Sequence, residues 1–337
     1  MTAAGRPRPV LTAIAVLLLI VVVAPAAFLL LCVRMPGESY RGPLPAPDPE
    51  LLALRERLRR HVRELAEEIG ERNYTRMQNL ERAADYVERQ FADMGLVPAS
   101  QVFGDRQYRN ISVDLYGREA RDRILVVGAH YDTVWLTPGA DDNASGVAGL
   151  LEIARALRER PLRRTVRLIA FSNEEEPFYG RNSMGSRVNA KRAYDRREQL
   201  IGMFSLEMIG FYSDAPRSQF YPRIIRRFYP DRGDFIAFVS NLRSRSFLHE
   251  AIASFRERAA FPSEGLAAPE ILVPDIRRSD NVSFWYYGFP AVMVTDTSNY
   301  RNYNYHNAGD LYGTLDFDRL ARVVTGLSEM IADLAGR

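Results

Sequence analysis

The sequence predicts an α/β fold: a three-layer α/β/α domain around a central, mostly parallel mixed sheet, preceded by one N-terminal transmembrane helix. Three observations predict it. Short apolar runs alternate with longer stretches whose apolar residues recur at helical spacing, the signature of strand-helix units feeding a largely parallel sheet. Several of these runs stop directly at acids or a histidine. Residues 10–33 carry no charge and match the roughly 20 apolar residues that a bilayer-spanning helix needs.

Composition narrows the possibilities. A chain of 337 residues has room for one large domain or two small ones, and 47% hydrophobic with 26% charged residues is ordinary for a globular protein. The net charge is only +3, Lys191 is the single lysine, and the arginines are spread among acids. Nothing in that pattern suits nucleic acid. Cys32 is the single cysteine, so an intrachain disulfide is impossible. The four histidines are His61, His130, His249 and His306.

Arg6 and Arg8 precede the apolar run, so the positive-inside rule places residues 1–9 in the cytoplasm and everything after the span outside it, on a single-pass protein of the cell membrane. A cleaved signal peptide ending near Ala24-Pro25-Ala26 is the competing reading, with a secreted product. The continuation of the run from Phe28 to Val33 fits an anchor better. Residues 34–50 hold five prolines and read as an extended linker. The rest, 51–337, reads as the functional domain.

Leu52, Leu54, Leu58, Val62, Leu65 and Ile69 form a helical stripe, and a second amphipathic helix near Met77–Met94 ends at Gly95, a natural C-cap. His61 on the first of these is expected to be a surface or packing residue. Strands are expected at Asn110–Leu115, Ile124–Val127, Thr165–Phe171, Gln199–Leu206, Phe235–Ser240 and Pro290–Val294. Helices are expected after Asn143, over Phe247–Arg258 and over Asp316–Leu334.

The organising stretch is ILVVGAHYDTVWLTPGADDNASGVAGLLEIARALRER, residues 124–160. It reads as a buried strand, a polar loop carrying His130, Asp132, Asp141 and Asp142, and a helix. In open α/β sheets the carboxyl ends of strands are where ligands bind. Glu174 and Glu175 follow the next strand, Glu207 follows another, and His306 lies in a Tyr/Asn-rich loop after a fourth. Taken singly these have ordinary explanations: a hydrogen-bonded histidine, an N-cap, a solvated glutamate run, a surface loop. Taken together they converge on one sheet edge, where crowded carboxylates cost free energy unless cations neutralise them. Imidazole and carboxylate suit Zn²⁺, and two ions about 3.5–4 Å apart sharing one carboxylate would form a co-catalytic pair.

AHYDT, PGADDNASG, FSNEEE, SLEMIGF, SDNVSFWYYGFPAVMVTDT and YHNAGD together resemble the zinc-dependent aminopeptidases of metallopeptidase family twenty-eight, over roughly residues 50–335. The resemblance implies an exopeptidase that removes N-terminal residues from peptides with a free N-terminus, using two zinc ions per chain; with the apolar run at 10–33 it is expected to be membrane-anchored. It implies His130, Asp141, Glu175, Glu207 and His306 as ligands, with Asp141 bridging. His130 and Glu207 would complete one metal, Glu175 and His306 the other. Glu174 would be the general base, and Asp132 would orient His130. A cis peptide is implied at Asp141-Asp142. The triple glutamate also allows Glu175/Glu176 as the functional pair. Ser279-Asp280-Asn281 stands where many relatives have Ser-Asp-His, which bears on pocket shape. A single-zinc glutaminyl cyclase and a non-catalytic peptidase-like ectodomain are the alternative functions on this fold.

Overall fold

The computed structural model describes residues 9–337. Its centre is an eight-stranded mixed sheet in the order β1-β2-β4-β3-β5-β8-β6-β7. The strands are β1 (Ala99–Phe103), β2 (Tyr108–Leu115), β3 (Ala120–His130), β4 (Arg164–Phe171), β5 (Gln199–Glu207), β6 (Ile236–Asn241), β7 (Ser263–Ala268) and β8 (Ala291–Thr295). The middle four, β4-β3-β5-β8, are mutually parallel. β2 is antiparallel to β4, and β6 is antiparallel to β8.

The helices are α1 (Pro9–Phe28), α2 (Pro49–Arg63), α3 (Met77–Asp93), α4 (Gly146–Leu157), α5 (Gly185–Asp195), α6 (Arg245–Arg258), α7 (Asn281–Tyr286) and α8 (Phe317–Gly336). Alternation along β3 explains the layers. Leu125, Val127 and Ala129 point into a core shared with α2, α3, α4, α6 and α8, whereas Ile124 and Val126 point into a second core with Ala190 of α5 and Phe284 of α7. A central parallel strand is buried on both faces, which is why its sequence is continuously apolar. On α4, Leu150, Ile153 and Leu157 are fully buried, each contributing about 1.5–3 kcal/mol.

Helix α2 begins where the Asp48 carboxylate accepts the Leu51 N–H at 2.7 Å, with Pro49 in the first turn. His61 is a packing residue: its ring contacts the Tyr86 hydroxyl at 2.7 Å and Glu152 at 3.1 Å, beneath α4. α3 closes at Gly95, whose positive φ of 78° is tolerated by glycine. Two strands were not expected. β1 is an edge strand with mostly exposed side chains, and β7 reads SEGLAA, with neither alternation nor β-branched residues.

Val16–Val33 is the one helical stretch among the described residues long and apolar enough to cross a membrane, with mean hydropathy 3.2 and 7% of it buried. Residues 1–8, which carry most of the expected cytoplasmic segment, lie outside the described residues. Residues 34–48, in the expected linker, form neither helix nor strand and are hydrogen-bonded to the domain. Arg256 donates to the carbonyls of Pro36 and Gly37, Ser39 accepts the Ser263 N–H, and Arg322 donates to Pro45. Prolines keep the segment extended, and arginines of the domain fasten its free carbonyls.

Candidate metal centre

The parallel register puts chemistry on one edge. His130 is paired with Phe171 across β3/β4, and Glu207 with Thr295 across β5/β8, so the loops leaving all four strands start at the same level. His130 ends β3, Glu174 and Glu175 follow β4, Glu207 ends β5, and His306 returns from the loop after β8.

Asp142 lies between the two imidazoles. Its Oδ1 is 3.3 Å from His130 Nε2, and its Oδ2 is 3.2 Å from His306 Nε2. Glu207 Oε2 completes one side at 3.3 Å from His130 Nε2, and Glu175 Oε2 completes the other at 3.4 Å from His306 Nε2. Three donor triads result among the described residues: His130-Asp142-Glu207 and Asp142-Glu175-His306, which share one carboxylate, and His130-Glu174-Glu175.

The expected bridging residue, Asp141, is turned away. Its Oδ1 accepts the Gly210 N–H at 3.0 Å and its Oδ2 the Asn302 Nδ2 at 2.8 Å. The correction has a backbone cause. Asp310 accepts the N–H of Asp141 on one carboxylate oxygen and that of Asp142 on the other, at 2.8 and 3.0 Å, and so holds the turn in which Asp141 points to Gly210 and Asn302 while Asp142 faces the imidazoles. The cis peptide likewise lies one residue later than expected, at Asp142-Asn143. Asp310 is the last residue of the YHNAGD motif, but the sequence assigned it no role, because no spacing rule reveals a carboxylate acting on backbone 168 residues away.

Donor chemistry fits zinc. Donors about 2.0–2.1 Å from a tetrahedral ion lie roughly 3.3–3.4 Å from one another, which the four separations above approximate. Among the described residues, His130 Nε2, both oxygens of Asp142 and Glu175 Oε1 are buried without a hydrogen-bond partner. Proteins rarely orphan so many polar atoms in one place without something else to satisfy them.

Positioning comes from neighbours. His130 Nδ1 faces the backbone carbonyl of Asp132 at 3.1 Å, closer than the Asp132 carboxylate at 3.6 Å. That carboxylate instead accepts the N–H groups of Glu174 and Glu175 at 3.0 and 3.1 Å. Asp132 therefore ties the β3 loop to the β4 loop, rather than only orienting the ring. Ser279 donates to Glu207 Oε2 at 2.7 Å. Asn281 donates to the Ile276 carbonyl, and neighbouring Asp280 is fully buried with both oxygens unpartnered.

Electrostatics follow from the crowding. Burial drives Glu174 well above the usual carboxylate range, with Glu175 and Glu207 adding to the push, and burial and Asp142 take Glu175 up to about 7. Asp142 is the exception: despite its burial, the His130 and His306 rings hold it low. Burial opposes the charge of His306, but Asp142 and Glu175 bring it up to about 10.

A cavity of about 230 Å³ opens over this cluster, lined by Glu174, Glu175, Glu176, Glu207, Tyr179, Arg278 and Tyr305 among others. Glu174 and Glu175 are buried against the cluster, whereas Glu176 is exposed at the cavity wall. Of the tyrosines in the late loop, Tyr305 stacks on His306 with ring centroids 3.7 Å apart, Tyr303 is exposed, and Tyr300 bonds Asp275.

Residues 110–331 match the sequence profile of peptidase family M28. The chain is 38% identical over 288 residues to the uncharacterized protein YfbL of Escherichia coli, covering 82% of this chain and 87% of that one. Among solved structures it resembles a zinc aminopeptidase from Bacillus subtilis, with a TM-score of 0.67, 15% identity, and coverage of 84% of this chain and 95% of that one. A glutaminyl cyclase from Porphyromonas gingivalis shares the fold at a TM-score of 0.62 and 18% identity, covering 83% and 98%.

Proposed function

The chain belongs to peptidase family M28, and from that footing we propose that it is a membrane-anchored, two-zinc aminopeptidase acting on peptides with a free N-terminus. One observation carries this reading: Asp142, with both oxygens free of protein hydrogen bonds, set between His130 and His306. His130, Asp142 and Glu207 would hold one zinc, and Asp142, Glu175 and His306 the other. Zinc so held supplies Lewis acidity, polarising a carbonyl and making water acidic enough to lose a proton near neutrality.

The remaining steps fall to side chains. Glu174 belongs to neither of the two triads that share Asp142, yet it lines the cavity, and its burial favours holding a proton. It takes the proton of the attacking water on its carboxylate and returns it to the leaving amine. Tyr305, stacked on His306 at the cavity wall, presents a hydroxyl to the developing oxyanion. The small acidic cavity suits one residue with its ammonium rather than an extended chain, which favours removal of terminal residues. α1 anchors the domain in the membrane, with residues 34–337 outside the cytoplasm.

Hydrolysis of aminoacyl-p-nitroanilides by full-length protein, abolished by chelation and restored by zinc, tests the reading. The same assay on N-terminally acetylated substrates should show no turnover. Release of ammonia from glutaminyl peptides without release of free amino acids would replace the aminopeptidase with a cyclase.

A further inference from the structure

A second cavity, of about 390 Å³, shares no lining residue with the one over the metal cluster and lies between the turn after β6 and the turn after β7. Arg187, Arg243 and Arg277 line it, against a single acid, Glu270. Glu270 is engaged by Asn241 Nδ2 at 3.3 Å and by Arg277 at 3.4 Å. Arg187 is different. It is only 6% exposed, its Nε is buried with no partner, and among the described residues it forms no ion pair. Its guanidinium lies 4.1 Å from the centre of the Tyr286 ring. Stacking positions the planar group but does not satisfy its donors.

The surroundings of the cavity point to what supplies those acceptors. The apolar helix reaches the domain at this end. Arg245, two residues after Arg243, donates to the carbonyls of Leu31 and Leu30 at 2.6 and 3.1 Å. Cys32 is buried in one cluster with Leu266 and Ala268 of β7, directly before the second turn. Exposed apolar residues cluster in the same two turns and beside them: Leu242, Ile271 and Leu272, with Tyr286 across the opening. Arginines interleaved with exposed aliphatic and aromatic side chains, next to a membrane helix, match a headgroup layer: phosphate above and acyl chain below.

We propose that this cavity binds a phosphate-bearing anion through Arg187 and Arg243, and that its source is the headgroup of an anionic phospholipid beside α1. Arginine forks suit phosphate oxygens in bidentate fashion. The lipid source rests on α1 being a membrane span; the anion site itself does not.

The two tryptophans of the chain make the test direct. Trp285 lines the cavity, whereas Trp135 is in an exposed loop. Full-length W135F protein in a neutral detergent is titrated at constant ionic strength with sodium phosphate and, separately, with dioctanoylphosphatidylglycerol, reading Trp285 fluorescence. Both should saturate, the lipid at tenfold or more lower concentration. Arg243→Gln, at an exposed position, should weaken binding at least tenfold, and Arg187→Gln should do so as strongly or more. Saturation by phosphate at equal or lower concentration than the lipid overturns the headgroup source and leaves a free phosphorylated ligand. No saturation by either, or unchanged binding in Arg243→Gln, overturns the site.

Discussion

Asp310 accepts the backbone N–H of Asp142 at 3.0 Å, holding the turn in which Asp142 faces the imidazoles while Gly210 and Asn302 hold the Asp141 carboxylate away from them. With its other oxygen on the Asp141 N–H, a single carboxylate clamps the metal-site loop from 168 residues further along the chain. Asp310→Ala should leave the fold intact and lower zinc affinity by about 10–100-fold, as loss of such supporting contacts does. Zinc-buffered titration of the variant against wild type measures it.

Glu174→Gln keeps the shape of the side chain and removes its basicity. Zinc content should be unchanged while kcat falls by about 10²–10⁴. Metal analysis and steady-state kinetics on the same preparation separate the two. Full activity in this variant contradicts the role given to Glu174.

Far from the cluster, Glu152 is buried among Arg57 at 2.6 Å, His61 at 3.1 Å and Arg155 at 3.2 Å. Burial opposes its charge, but His61 and Arg57 bring it down from 4.5 to about 2. A carboxylate depressed in the folded state stabilises it fully above about 4.5, and that contribution is lost as pH falls toward 2. The shift corresponds to about 3 kcal/mol. Glu152→Gln should therefore unfold at clearly lower denaturant at pH 7, and the gap to wild type should narrow steadily below pH 4.5. An unchanging gap contradicts this assignment.

Asp141 supplies a contrasting case. Its oxygens accept from Gly210 and Asn302, so Asp141→Asn would set an amide N–H₂ against one of those donors. The expected cost is about 1–3 kcal/mol of stability. Thermal unfolding measures this, and zinc content should stay at the wild-type level.

The central sheet was legible because its strands, β3 and β4 above all, are short apolar runs buried on two faces and closed by small or polar residues. The gathering of His130, Glu174, Glu175, Glu207 and His306 was legible for the same reason: each lies at or after the carboxyl end of a strand in a parallel set. β1 and β7 escaped because edge exposure removes alternation and small residues carry no strand preference. The choice between Asp141 and Asp142 escaped because adjacent loop residues are equivalent by composition, and only distant partners distinguish them: Asp310 on the backbone, and Gly210 and Asn302 on the Asp141 carboxylate. Residues 34–48 read as a linker by composition, and nothing in that composition reveals that Arg256 and Arg322 fasten carbonyls that prolines leave without secondary structure.

Zinc stoichiometry of the full-length protein, wild type against Asp142→Asn, tests the shared-carboxylate centre most directly. Wild type should hold two zinc ions per chain, and Asp142→Asn at most one, weakly held. Two tightly bound ions in Asp142→Asn, or loss of both in Asp141→Asn alone, contradict it.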